Sequence, residues 1–168
     1  MSTPPVTPPS FAPADQAFLE RLAALRADSD PFQAALALTL AHFRAESGTI
    51  HGLSQGLLEL RAHSAGMPPP VLEVIRRIPV GKGMAGLAVE RAEPVTACNL
   101  QTDTSGDVRP GARATGLQGS IVVPVLDGAR PAGALGIANR AERVFDAREV
   151  ALLLAAGRVL AGWLGTSS

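Results

Sequence analysis

The chain has 168 residues, 46% hydrophobic and 18% charged, a size for one compact domain at roughly 100–200 residues per domain. Fifteen Lys and Arg balance fifteen Asp and Glu, which excludes a uniformly basic face for nucleic acid or an anionic membrane. Aromatics at 4% with no tyrosine exclude a stacking platform for single strands. One cysteine, Cys98, excludes an intramolecular disulfide, and His42, His51 and His63 are too widely spaced for a helical metal pair. The expectation is a reduced, cytoplasmic protein without a metal site.

In chain order, residues 1–13 hold five prolines and lack the charged and apolar blocks of a signal peptide, so they read as a disordered or polyproline leader. Phe18, Leu22 and Leu25 recur at helical spacing over 14–27. Asp28-Ser29-Asp30-Pro31 breaks that helix and starts a second one, with Asp30 as cap, Pro31 in the first turn and Leu36, Leu40 and Phe43 as its stripe. Residues 49–53 and 57–63 read as a hairpin around Ser54-Gln55-Gly56. Pairing Leu53 with Leu57 sets Ile50 opposite Leu60 and His51 opposite Glu59, which places the imidazole beside a carboxylate on the more polar face.

Residues 70–78 read as a short helix, followed by Gly81-Lys82-Gly83-Met84-Ala85-Gly86. This matches G-x-G-x-x-G, but no buried parallel strand precedes it and no βαβ unit follows; a Walker A loop fails because Gly83 stands where Ser or Thr would hold magnesium. The ordinary reading is a glycine turn opening a helix over 84–90. Residues 94–98 give a short strand and 99–116 a long polar loop. The runs 120–126 and 132–138, joined through Asp127-Gly128, read as the central hairpin, with Pro124 marking a bulge or an unpaired amide. Asp146 with Glu149 forms a capping-box start. The helix it opens carries Arg158 and falls short of the roughly 20 residues that span a bilayer. Its apolar arc is wide, with Leu153 and Leu160 on one side and Leu152, Val159 and Trp163 on the next, so it covers its own sheet and a second helix or subunit. Helices at the ends and antiparallel strands between them make an α+β architecture.

Taken in order, Ile78-Pro79-Val80-Gly81-Lys82-Gly83-Met84-Ala85-Gly86, Glu93-Pro94-Val95, Gly119-Ser120-Ile121-Val122-Val123-Pro124-Val125, Gly133-Ala134-Leu135-Gly136-Ile137 and Phe145-Asp146 resemble the GAF domain family. The resemblance implies a GAF/PAS-like central antiparallel sheet of five to six strands, terminal helices on one face, and a small-molecule pocket on the other roofed by 67–91 and 99–116. Ligands of the family include cyclic nucleotides, bilins, haem and small metabolites, and the fold does not choose among them; the cofactor is therefore left unknown. The free methionine-(R)-sulfoxide reductases of this fold place a cysteine where this chain has Ala85. Bilin-binding members attach chromophore through a cysteine usually followed by histidine, whereas Cys98 precedes Asn99. The Asn-Lys…Phe-x-x-x-Asp-Glu signature of cyclic-nucleotide members is matched only in part by Asn139-Arg140 and Phe145-Asp146-Ala147-Arg148-Glu149-Val150.

Candidate ligand-binding residues are Cys98, Asn99, Asp103, Arg109, Arg113 and Ser120. Arg109 and Arg113 carry guanidinium forks suited to a carboxylate or phosphate, Ser120 offers a hydroxyl where the strand leaves the loop, and a redox role for Cys98 requires neighbouring positive charge. No catalytic or metal-binding residue is assigned, since nothing local orients a histidine toward Ser120. The expected organisation is a leader at 1–13, a helix and linker at 14–30, a GAF-like domain at 31–165 and a tail at 166–168. The expected function is a stand-alone, non-catalytic small-molecule sensor in signalling, acting through an output protein in trans. A dimerisation or interaction scaffold with a vestigial pocket is the alternative, and a redox enzyme is third. Phe18, Leu22 and Leu25, together with Leu152, Val159 and Trp163, exceed what one sheet covers, so a homodimer through the terminal helices is expected, with no nucleic-acid or membrane partner.

Overall fold

The computed structural model describes residues 10–102 and 116–164. The elements run α1 (Pro13–Ala24), α2 (Pro31–Phe43), β1 (Ser47–Ser54), β2 (Leu57–His63), α3 (Pro69–Ile75), β3 (Arg77–Pro79), α4 (Gly83–Arg91), β4 (Val95–Ala97), β5 (Gly119–Asp127), β6 (Arg130–Asn139) and α5 (Ala147–Leu164). Proline sits in the first turn of α1, α2 and α3, where its missing N–H is no loss. Helix α5 starts in a reciprocal capping box: the Glu149 amide donates to Asp146 Oδ1 at 2.8 Å and the Asp146 amide to Glu149 Oε1 at 3.2 Å. Helix α2 ends at Phe43, the last residue of its stripe, because Arg44 adopts φ 54° and turns the chain into β1.

The six strands form one antiparallel sheet in the order β3-β2-β1-β6-β5-β4. Strand β3 is missing from the sequence reading. It takes Arg77 and Ile78 from the stretch read as a helix over 70–78, and with three residues of which only Ile78 is buried it is too short for its alternation to stand out. The first hairpin also pairs one residue away from expectation. Ser54 faces Leu57 across a two-residue turn in which Gln55 and Gly56 both have positive φ, 52° and 77°, as a type I′ turn requires. His51 therefore opposes Leu60 instead of Glu59, and a bulge beyond it sets Ile50 opposite Ala62.

Alternation divides the sheet into two faces. Ile50, Ile121, Val123, Val125, Leu135 and Ile137 join Phe18, Leu22 and Leu36 with Leu152, Leu153 and Leu160 in the main core. Helices α1, α2 and α5 cover this first face. Phe18, Leu22 and Leu152 are fully buried within one chain, Trp163 is buried edge-on to Phe32 at 5.7 Å, and Leu25 and Val159 pack against the same core. The second surface of α5 is thus covered in large part by its own chain's helices, while Leu25, Leu154 and Val159 remain partly exposed. No helix among the described residues is long and apolar enough to cross a membrane.

Candidate functional site

The second face is built from smaller side chains. Reading across the strands, one row runs Ala97, Ser120, Ala138; the next Val95, Val122, Gly136, Thr49; the third Pro124, Ala134, His51, Leu60. None of these side chains carries a fixed charge, and the polar atoms are the Thr49 and Ser120 hydroxyls and the His51 imidazole. A Cβ added at Gly136 would lie 3.2 Å from Val122 Cγ2 and 3.5 Å from Thr49 Oγ1, so the glycine lets both side chains lie close over the middle of this floor. Among the described residues the second face has its own buried cluster of only four, Leu58, Ile78, Val89 and Ala134, against nineteen in the main core. Helix α4 supplies Val89 and Ala85 to it, and α3 supplies Ile75.

His51, read from sequence as a surface residue, is 1% exposed. Its Nε2 lies 2.8 Å from the Ile75 carbonyl at the end of α3. A carbonyl only accepts, so Nε2 carries the hydrogen and Nδ1 of the neutral ring is a bare acceptor. Among the described residues Nδ1 is the one buried side-chain nitrogen or oxygen without a hydrogen-bond partner. Burial pushes this imidazole below the ordinary value of 6.5, against an opposing contribution from the Ile75 carbonyl. The periodicity of β1 carries the signal that His51 alternates with Ile50; that α3 would close over that face is not visible locally.

The sequence-derived candidates are divided. Ser120 lies on the floor, where its hydroxyl donates to the Ile137 carbonyl at 3.3 Å. Asn99 is occupied by local structure: Nδ2 donates to Glu142 at 2.7 Å and Oδ1 accepts from the Gln101 amide at 2.9 Å. Cys98 follows β4, is exposed, and its carbonyl accepts from the Arg143 amide at 3.3 Å. Asp103, Arg109 and Arg113 lie outside the described residues.

Two motifs find backbone explanations. Gly81 and Gly83 have φ of 89° and 64°, and a Cβ at Gly86 would stand 2.6 Å from the Pro79 carbonyl, so each glycine of the G-x-G-x-x-G run serves a turn that joins β3 to α4. Asn139 donates to the Arg44 carbonyl at 2.9 Å and accepts from Arg143 at 2.8 Å; Arg143 in turn reaches Glu149 at 2.6 Å and lies over the Phe145 ring. The residues shared with the cyclic-nucleotide signature tie the β6–α5 connection together.

A second polar cluster lies on the helix-covered side, in a hollow between α1, α2 and α5 lined by Asp15, His42, Arg44, Arg143, Arg148 and Glu149. Asp15 is buried, and both of its oxygens are engaged, by His42 Nε2 at 2.8 Å and by Arg148 at 3.0 and 3.3 Å. Phe18 stacks on His42 with ring centroids 4.4 Å apart. Burial raises the Asp15 carboxyl, and the hydrogen bonds from Arg148 and His42 more than offset it, holding the group below 3.8. No group of His, Cys, Asp and Glu able to hold a metal exists among the described residues.

A six-stranded antiparallel sheet with terminal helices on one face and short helices over a small-residue floor on the other defines the α+β fold class to which PAS and GAF domains belong. The GAF domain family model matches residues 31–161, and the chain belongs to the GAF domain family. Similar solved structures include the GAF domain of an Acinetobacter phosphoenolpyruvate-protein phosphotransferase, at 18% identity and TM-score 0.75, covering 92% of this chain and 95% of that one. The free methionine-R-sulfoxide reductase of Neisseria meningitidis, solved with its substrate, is 18% identical at TM-score 0.72, covering 94% of each chain. The Staphylococcus aureus free methionine sulfoxide reductase with substrate is 20% identical at TM-score 0.69, covering 93% of this chain and 99% of that one. At these identities the likeness establishes the fold alone. Among curated proteins none matches.

Proposed function

We propose that this chain is a non-catalytic GAF module that binds a small molecule on the second face of its sheet and relays occupancy to a partner protein. The observation that carries the reading is the floor itself. Small residues at Ala97, Ser120, Gly136 and Ala138 are set among strands whose opposite face is filled with isoleucine, leucine and valine. An antiparallel sheet commonly packs one face on its core and leaves the other for solvent or a partner, and a floor of small, uncharged side chains leaves a compact molecule room to approach it.

The reductase neighbours suggest thiol chemistry, and two positions argue against it. Ala85 packs against the second-face cluster where the family resemblance implies a cysteine. Cys98 is the single thiol of the chain and is exposed beside the β6–α5 connection. The scaffold reading draws on a different fact: Ile78 and Val89 already lie against Leu58 and Ala134.

Methyl-labelled protein, with the Val95, Val122 and Ala134 signals followed during titration with methionine-(R)-sulfoxide, free amino acids and 3′,5′-cyclic nucleotides, tests these readings. A ligand present at 100 times its dissociation constant adds about 2.7 kcal/mol of stability, so the same compounds are scored by thermal melting. Floor methyls that stay silent to every compound, with flat melting temperatures, favour the scaffold. Thiol-dependent consumption of methionine-(R)-sulfoxide that disappears in Cys98→Ser overturns the non-catalytic assignment.

A further inference from the structure

We infer that the His51 imidazole is the ligand anchor of the second face, a hydrogen-bond acceptor under α3 that selects neutral or cationic small molecules presenting an N–H or O–H donor. The inference rests on the reading that this face binds a small molecule, and it specifies that molecule's chemistry.

The argument starts from the cost of what is seen. A buried acceptor left without a donor forfeits its hydration, and native structures rarely tolerate this unless a ligand or an ordered water supplies the partner. His51 is enclosed between Leu60 on β2 and Ala134 on β6, and its other nitrogen is committed to Ile75. That commitment fixes the tautomer, so Nδ1 accepts and never donates while the ring is neutral. The depressed proton affinity of the buried ring keeps it neutral near pH 7. A carboxylate or phosphate oxygen brought to Nδ1 would set lone pair against lone pair; an amide, hydroxyl, indole or ammonium hydrogen would be accepted. Its cross-strand neighbours Leu60 and Ala134 are apolar, as is the buried cluster of this face to which Ala134 and Ile75 belong. The ligand class is therefore a compact, largely apolar body with one donor aimed at the ring.

Access is through α3. None of its seven residues is buried, Val74 is half-exposed, and the helix is held to the sheet at its C-terminal end by the His51–Ile75 bond and by the Leu60 amide donating to the Arg76 carbonyl at 3.0 Å. A cover packed this thinly opens at small cost compared with the helices of the first face.

The test uses matched probes that differ in the donor alone, phenol against anisole and indole against 1-methylindole, added at millimolar concentration to the full chain. Imidazole nitrogen spectra report Nδ1 directly, with the His51 signals assigned by their loss in His51→Gln. Phenol and indole are expected to move the Nδ1 resonance of His51 toward its hydrogen-bonded position and to bind at least tenfold more tightly than their methylated partners. His51→Gln, which keeps an acceptor oxygen and a donor for Ile75, is expected to retain the discrimination; His51→Leu is expected to bind both members of each pair alike. Floor methyls that respond equally to methylated and unmethylated probes in the wild type overturn the anchor and leave the binding face standing. Floor methyls silent to all four probes and to the metabolites tested above overturn both. A free-protein Nδ1 already at the hydrogen-bonded position and unmoved by any probe assigns the acceptor to a resident water and overturns the inference.

Discussion

The two faces of this sheet each bury a polar side chain, and they treat it differently. Asp15, on the helix-covered side, is saturated: each carboxylate oxygen meets a donor from His42 or Arg148, and the aromatic ring of Phe18 stacks on His42. His51, on the other side, has one nitrogen in use and one idle. Saturation is the signature of a group that fastens structure, since every partner lost exposes an unmet charge. Asp15 fastens α1, which precedes the matched family region, onto α2 and α5. An idle buried acceptor is what the proposed ligand anchor requires.

The sharpest contrast between the faces is in packing. Leu135→Ala, on the first face where Leu135 is fully buried, is expected to cost about 2–5 kcal/mol in urea unfolding. Val122→Ala, half-buried on the floor, should cost less than half of that. Equal losses would show that both faces serve as core and would remove the basis of the functional reading. Next in size, Asp15→Ala strips His42 and Arg148 of their shared partner and should cost about 1–3 kcal/mol, with amide exchange rising in α1 ahead of the sheet. A loss spread uniformly over the molecule would contradict the fastening role.

Acidification separates the two groups. Because burial depresses His51 below 6.5, its contribution is complete above that value; as pH falls through 6.5 the unfolded chain takes up the proton first and stability declines. The neighbours that face it, Leu60, Ala134 and the Ile75 carbonyl, carry no charge to modify this. Asp15 is held below 3.8, so its contribution persists until the pH drops under that figure and is then lost. Unfolding measured across pH should therefore weaken in two stages, with His51→Gln flattening the upper stage and Asp15→Asn the lower. A single stage near pH 4 in the wild type would mean that His51 reaches solvent. The smallest expected effect on folding is that of Gly136→Ala, under about 1 kcal/mol because Val122 needs to yield by only a few tenths of an ångström. The same methyl group fills the centre of the floor, so it should weaken every ligand of that face at least tenfold by titration.

Of the candidate site, the sequence exposes little. Ser120 is legible because it stands where an apolar strand leaves the loop, and its pairing with Ala97 and Ala138 places it on the floor. Asn99 and Cys98 look like loop residues free to bind; in three dimensions they fold back on Glu142 and Arg143, which lie more than forty positions away. His51 is missed for a specific reason. Choosing a three-residue loop over the two-residue turn at Gln55-Gly56 slips the register by one and gives the ring a carboxylate neighbour that it does not have. Glutamine with positive φ is an uncommon occupant of such a turn, so local chemistry points to the wrong loop length.

Local chemistry decides what depends on near neighbours in the chain. The prolines that open α1 and α2, the Asp146–Glu149 box that opens α5, the apolar runs of β5 and β6 joined at Asp127-Gly128, and the glycine turn before α4 follow from dihedral limits and hydrogen bonds within a few residues, and their order along the chain is sufficient to place it in its family. The tertiary structure alone decides which apolar surfaces meet and which polar atoms lose water. It folds α1 and α2 over the second surface of α5, closes α3 over His51, and leaves Nδ1 enclosed without a partner. Burial is a property of what arrives from elsewhere in the chain, and no spacing within β1 encodes the arrival of α3.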